Sequence, residues 1–187
     1  MKRFQQQRGF TLIEALVAFI VLSVGLIGTV AMQAVAKRNS YDAMQRAQAL
    51  AIASDIIERM RANKQSGQAF LAGYNGNYGT GQTAIGAPNP LCRGIAANCN
   101  AAEMMVNDQF EWSQRLLGAD VTRSTVQTGG MVDAVGCINM QANGNVTVVV
   151  AWQGRESIRD AATSTGELTC GTAGDTRRQV VVSTFIY

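Results

Sequence analysis

One apolar run limits what this chain can fold into. Residues 10–32, FTLIEALVAFIVLSVGLIGTVAM, carry a single charge, the carboxylate of Glu14. As a helix, a run of that length crosses a bilayer core of roughly 30 Å. A carboxylate inside such a span costs about 2.5–3.5 kcal/mol on insertion scales. A plain membrane anchor gains nothing from it, so Glu14 asks for a separate reason.

The charge pattern around this run is that of a targeting device. Of 187 residues, 16 are Lys or Arg and 13 are Asp or Glu, a net charge of +3. Removing Lys2, Arg3 and Arg8 leaves 13 of each sign, so the basic excess belongs to the N-terminal tag. Basic residues ahead of an apolar run keep the N-terminus cytoplasmic and send the following chain outward. An ordinary signal peptide cut near AMQA is the plain alternative, but its apolar region is too long and includes Glu14. A simple uncleaved anchor is another. The balanced remainder, without a basic stripe interleaved with aromatics, speaks against nucleic-acid binding.

The chain contains no histidine, which removes the commonest general base and the commonest metal ligand. No nucleophile elbow or paired carboxylates in an apolar setting suggest an enzyme. No catalytic residue, metal or cofactor is therefore expected. GYNGNYGTG has the glycine content of a phosphate loop but lacks the G-K-[ST] ending. Cys92, Cys99, Cys137 and Cys170 all follow the apolar run and meet an oxidising compartment once exported. Four cysteines allow three connectivities. Cys92 and Cys99 flank six residues of a Pro/Gly/Asn-rich segment, which favours a local bridge and leaves Cys137 to pair with Cys170. With neither C-x-x-C nor histidine, zinc is a weak reading.

The helical pattern continues past Lys37 and Arg38. Ala43, Ala47, Leu50, Ala53, Ile57 and Met60 recur at spacings of three and four, predicting an amphipathic face, with Gln45 and the charged residues mostly elsewhere. Asp55 and Arg59 form an i,i+4 pair of favourable order. One helix over residues 10–63, roughly 80 Å long, with Gly67 as its stop, is the simplest expectation. Gly25 and Gly28 lie in its apolar half, as points of close helix approach, of local melting, or as ordinary membrane-helix glycines. Residues 66–100 lack periodicity and read as a long loop. Residues 101–117 read as a second helix facing the core with Met105, Phe110 or Gln109, Trp112 and Leu116, and ending at Gly118. Segments 134–140 and 146–154 around an Asn-Gly turn read as a hairpin, and 177–187 as a further strand. The expected fold is α+β: a long N-terminal helical spine, apolar in its first half, packed on a small antiparallel sheet with a variable loop region.

Gly9-Phe10-Thr11-Leu12-Ile13-Glu14 resembles the class III leader junction of type IV pilins and of type II secretion pseudopilins. GFTLIEALVAFIVLSVGLIGTVAMQ and RAQALAIASDIIERMRAN are similar to minor pilins of the type IV pilus modification group. VTVVVAWQGR and the last strand extend the similarity more weakly. About a third of the chain carries the likeness specifically. It departs from many major pilins in having no proline in the membrane helix.

The resemblance implies a leader over residues 1–9, a transmembrane and filament-core half over 10–35, and a periplasmic headgroup over 36–187. It implies cleavage between Gly9 and Phe10 by a prepilin peptidase, N-methylation of Phe10, and charge pairing of Glu14 with the N-terminal amine of a neighbouring subunit. A Glu14 that snorkels to the interface is the plain alternative. It further implies a structural rather than enzymatic protein of the inner membrane and then of the pilus. Its partners would be other minor pilins, the major pilin and a tip adhesin. A minor pseudopilin of type II secretion is the alternative, and a DNA-uptake pilin fits the neutral mature charge less well.

Overall fold

The computed structural model describes residues 11–94, 97–119, 121–124, 126–127, 129–160, 162 and 169–186. Helix α1 spans Leu12–Ala62. The chain divides into two compact units, Met1–Ala43 and Met44–Tyr187. From Leu12 to Met32 α1 is uncharged but for Glu14 and almost wholly exposed, as with Phe19, Val24 and Ile27. It is long and apolar enough to cross a membrane.

The second unit joins the rest of α1 to an antiparallel sheet. After α1 come a 3₁₀ turn at Lys64–Ser66, the short helix α2 (Gln68–Leu71) and a second 3₁₀ turn at Ala72–Tyr74. Strand β1 is Gly76–Gly79, and helix α3 is Ala101–Leu117. Thr122–Arg123 (β2) and Val126–Gln127 (β3) pair as a minimal two-stranded ribbon. Val135–Met140 (β4), Asn145–Gln153 (β5) and Arg177–Phe185 (β6) complete the main sheet, ordered β1-β4-β5-β6.

Alternation along β5 explains the layering. Val146, Val148 and Val150 are buried against the helices, while Asn145 and Thr147 take the other face. Each fully buried Val contributes about 1.5–3 kcal/mol. Ile52, Ala53, Ile56, Ile57 and Met60 of α1 meet Ile138, Met140 and Val180 of the sheet in one core. Farther along the opposite face, Val135, Val149, Ala151 and Cys170 form a smaller cluster. The Asn143-Gly144 turn closes β4 on β5, with Gly144 at φ 89°.

Helix α3 begins with a capping box: Asn100 accepts from the Glu103 amide at 3.0 Å, and Glu103 accepts from the Asn100 amide at 2.9 Å. It ends at Gly118, whose left-handed φ of 73° suits glycine. Trp112 and Leu116 are fully buried, Met105 packs on the core, and Phe110 and Gln109 are half-buried. The Trp112 indole donates to the Ile52 carbonyl at 2.9 Å and meets the Tyr78 ring edge-on at 5.2 Å.

Two expectations need correction. The buried face of α1 is Gln45, Ala49, Ile52, Ala53, Ile56, Ile57 and Met60, whereas Ala43, Ala47 and Leu50 are exposed. Alanines fit either stripe; the bulkier Ile52 and Ile56 decide the rotation and carry Gln45 inward. Second, residues 66–100 are not a single loop, since they contain α2 and β1. Tyr74 and Tyr78 are the buried anchors, and β1 pairs with β4 from Gly76↔Ile138 to Gly79↔Val135.

Candidate assembly site

Glu14 lies in the first described turn of α1, where its amide donates to the Thr11 carbonyl at 3.0 Å. Its side chain is exposed amid exposed Leu12, Ile13, Leu16 and Val17. A carboxylate in a first turn also faces the positive end of the helix dipole. Gly9 and Phe10, the residues of the expected cleavage and methylation site, lie outside the described residues. Around Gly25 and Gly28 a Cβ would meet no atom within 4 Å. Among the described residues nothing therefore calls for glycine at either place. Ser23 donates to the Phe19 carbonyl and Thr29 to the Leu26 carbonyl, at 2.9 and 2.8 Å. Such back-bonding satisfies hydroxyls on a helix that has an apolar environment.

The headgroup holds a second polar constellation. Arg59 takes Asp55 at 2.9 Å, as helical spacing predicts, and also Asp108 at 2.9 Å and Glu111 at 2.8 Å on α3. Glu111 binds Arg93 at 2.6 Å, and Asp55 binds Arg115 at 2.8 Å. The Tyr74 hydroxyl donates to Asp108 at 2.8 Å, and the Asn63 amide donates to Tyr74 at 2.8 Å. Burial pushes the Asp108 carboxyl up, against the opposing pull of Tyr74 and Arg59. Burial also raises Glu111, but Arg93 and Arg59 outweigh it and hold Glu111 below the usual range. Burial pushes the Tyr78 phenol up to about 12, opposed by the hydrogen bond from Gln109. The sequence flagged only Asp55 with Arg59. Asp108 and Glu111 gave no signal beyond two carboxylates one turn apart beside Trp112.

Cys92 is bonded to Cys99 (S–S 2.08 Å) and Cys137 to Cys170 (S–S 2.13 Å). The first closes the loop leading into α3. The second fastens the segment before β6 onto β4. Arg177, almost fully buried, reinforces the second attachment by binding Asp160 at 2.7 Å and the Cys170 carbonyl at 3.1 Å. Among the described residues no group of His, Cys, Asp and Glu could hold a metal ion. The arrangement offers two covalent staples.

Comparison with known proteins points the same way. The prokaryotic N-terminal methylation motif matches residues 4–30, and a family described as type IV pilin Tt1218 matches residues 31–110. No curated protein and no solved structure matches. The two adjoining matches make residues 4–110 similar to type IV pilins that bear a prepilin-type methylation motif.

Proposed function

We propose that this chain is a type IV pilin and a minor subunit, similar to the type IV pilus modification protein PilV, that primes or supports pilus assembly and twitching motility near the filament tip. In this reading residues 1–9 are the leader, residues 10–35 the membrane and filament-core segment, and residues 36–187 the periplasmic headgroup. A prepilin peptidase cuts after Gly9 and methylates the amine of Phe10. Other minor pilins, the major pilin and a tip adhesin are the partners. The observation that carries the reading is Glu14, the one carboxylate on an exposed helix segment that is otherwise uncharged as far as Met32.

The chemistry is charge pairing in an apolar layer. The new amine of Phe10 is a cation that costs free energy there, and so is the Glu14 carboxylate an anion that does. When Glu14 of an incoming subunit meets the Phe10 amine of its neighbour, each offsets the burial cost of the other. In low dielectric an unpaired partner is expensive, so the pair fixes register between subunits. Mass spectrometry of the protein from sheared surface pili tests the proposal. The expected mature chain begins at methylated Phe10 and is found in the pilus fraction. A chain starting near Ala34, or a processed chain absent from pili, contradicts it.

A further inference from the structure

The two disulfides differ in setting. Cys170 is fully buried, and its bridge partner Cys137, half-buried, packs against Val135, Val149 and Ala151. Cys92 and Cys99 are both half-exposed, with Leu91, Arg93 and Gly94 exposed beside them. Thiol–disulfide exchange needs access to a sulfur, and here both cysteines are accessible rather than one, so this bridge is the more open to attack.

The half-exposed bridge also anchors three tethers along α3. Cys99 immediately precedes Asn100, the residue that caps the helix. The Cys92 amide donates to Oδ1 of Asn107, a buried residue, at 3.2 Å. The neighbouring Arg93 binds Oε1 of Glu111 at 2.6 Å. The other oxygen of Glu111, Oε2, accepts from Arg59 of α1 at 2.8 Å. A continuous path of polar contacts thus runs from the bridge, through one carboxylate, to the α1 segment that packs on the sheet.

We propose that the Cys92–Cys99 bridge is a redox-addressable latch: oxidised, it holds Arg93 and the Cys92 amide on α3 and completes the ion cluster at Arg59; reduced, it releases them. The reductant is a dithiol. Its thiolate attacks one sulfur, the other cysteine leaves as a thiolate, and the second thiol of the reductant resolves the mixed disulfide. Two electrons and two protons pass to Cys92 and Cys99, and the dithiol becomes a disulfide. The sheet is affected later, because Cys170 of its own bridge is fully buried. The latch fixes how tightly α3 grips the spine, and it is set only after export to an oxidising compartment. The inference concerns the headgroup alone and stands apart from the role of Glu14.

The test uses the full chain in detergent micelles with limiting dithiothreitol, followed by alkylation mapping and amide hydrogen exchange. Cys92 and Cys99 are expected to label before Cys137 and Cys170. Exchange over residues 101–108 is expected to rise about three- to tenfold while β4 and β5 stay unchanged. Oxidised Arg93→Ala is expected to raise exchange over the same residues, with reduction then adding less than it adds in the parent chain. Cys92→Ser with Cys99→Ser should reproduce the effect without reductant. Simultaneous reduction of both bridges, unchanged α3 exchange, or effects of Arg93→Ala and reduction that simply multiply would each overturn the latch.

Discussion

Arg59 on α1 places one nitrogen, Nη1, 2.9 Å from Asp108 and 2.8 Å from Glu111, so a single guanidinium joins the spine to α3. Its side chain is 19% exposed and that of Asp108 only 6%, which puts the Arg59–Asp108 pair mostly out of water. Breaking such a pair from one side strands the other charge, whereas replacing both together is far less costly.

Arg59→Met is therefore expected to destabilise the headgroup by about 3–5 kcal/mol. The double variant Arg59→Met with Asp108→Asn should recover part of that loss. Urea denaturation of the four proteins of this cycle measures the coupling, and simple additivity would contradict the pairing.

The acid response should separate the two carboxylates of α3. Burial raises the folded pKa of Asp108, so the native state binds its proton more readily than the unfolded chain does. Its contribution to stability therefore grows as pH falls through the carboxylate range and is lost as pH rises. Glu111, held low, contributes stability that is present above its ordinary pKa and lost as pH falls through its folded value. Between about pH 3 and pH 6, Asp108→Asn should lose stability with acid more steeply than the parent chain, and Glu111→Gln less steeply. Urea midpoints across that range provide the check, and parallel slopes for all three proteins would refute the assignment.

Gly136 lies where α3 presses on β4. A Cβ there would stand 2.3 Å from the Trp112 ring and 2.8 Å from Leu116. Gly136→Ala must push Trp112 off its hydrogen bond to Ile52 and is expected to cost about 1–3 kcal/mol. A thermal midpoint equal to that of the parent chain would show that the ring has room to move.

Much of this fold was legible because local and tertiary demands agree. Along β5 the alternating valines and the Asn143-Gly144 turn specify both the hairpin and the face that is buried. Gly118 marks the end of α3, and Trp112 with Leu116 marks its inner side. Strand β1 was not legible, since Gly76, Asn77 and Gly79 have little strand propensity and its pairing comes from β4. The rotation of α1 escaped because alanine fits inside or outside equally well. The Arg59 cluster joins residues about fifty positions apart, and no local period encodes that. Glu14 stood out at once, because a lone carboxylate in an apolar run is conspicuous in the sequence itself.

Glu14→Ala tests the central claim most directly, when cell fractionation is paired with a count of surface pili. Removing the carboxylate also removes an insertion cost of about 2.5–3.5 kcal/mol, so the protein should enter the membrane at least as well as before. Cleavage after Gly9 should survive, because the scissile bond is unchanged. Mature protein is expected to stay in the inner membrane while surface pili and twitching fall as they do in a deletion. Normal piliation at normal protein levels would contradict the account and leave the carboxylate without a part in assembly.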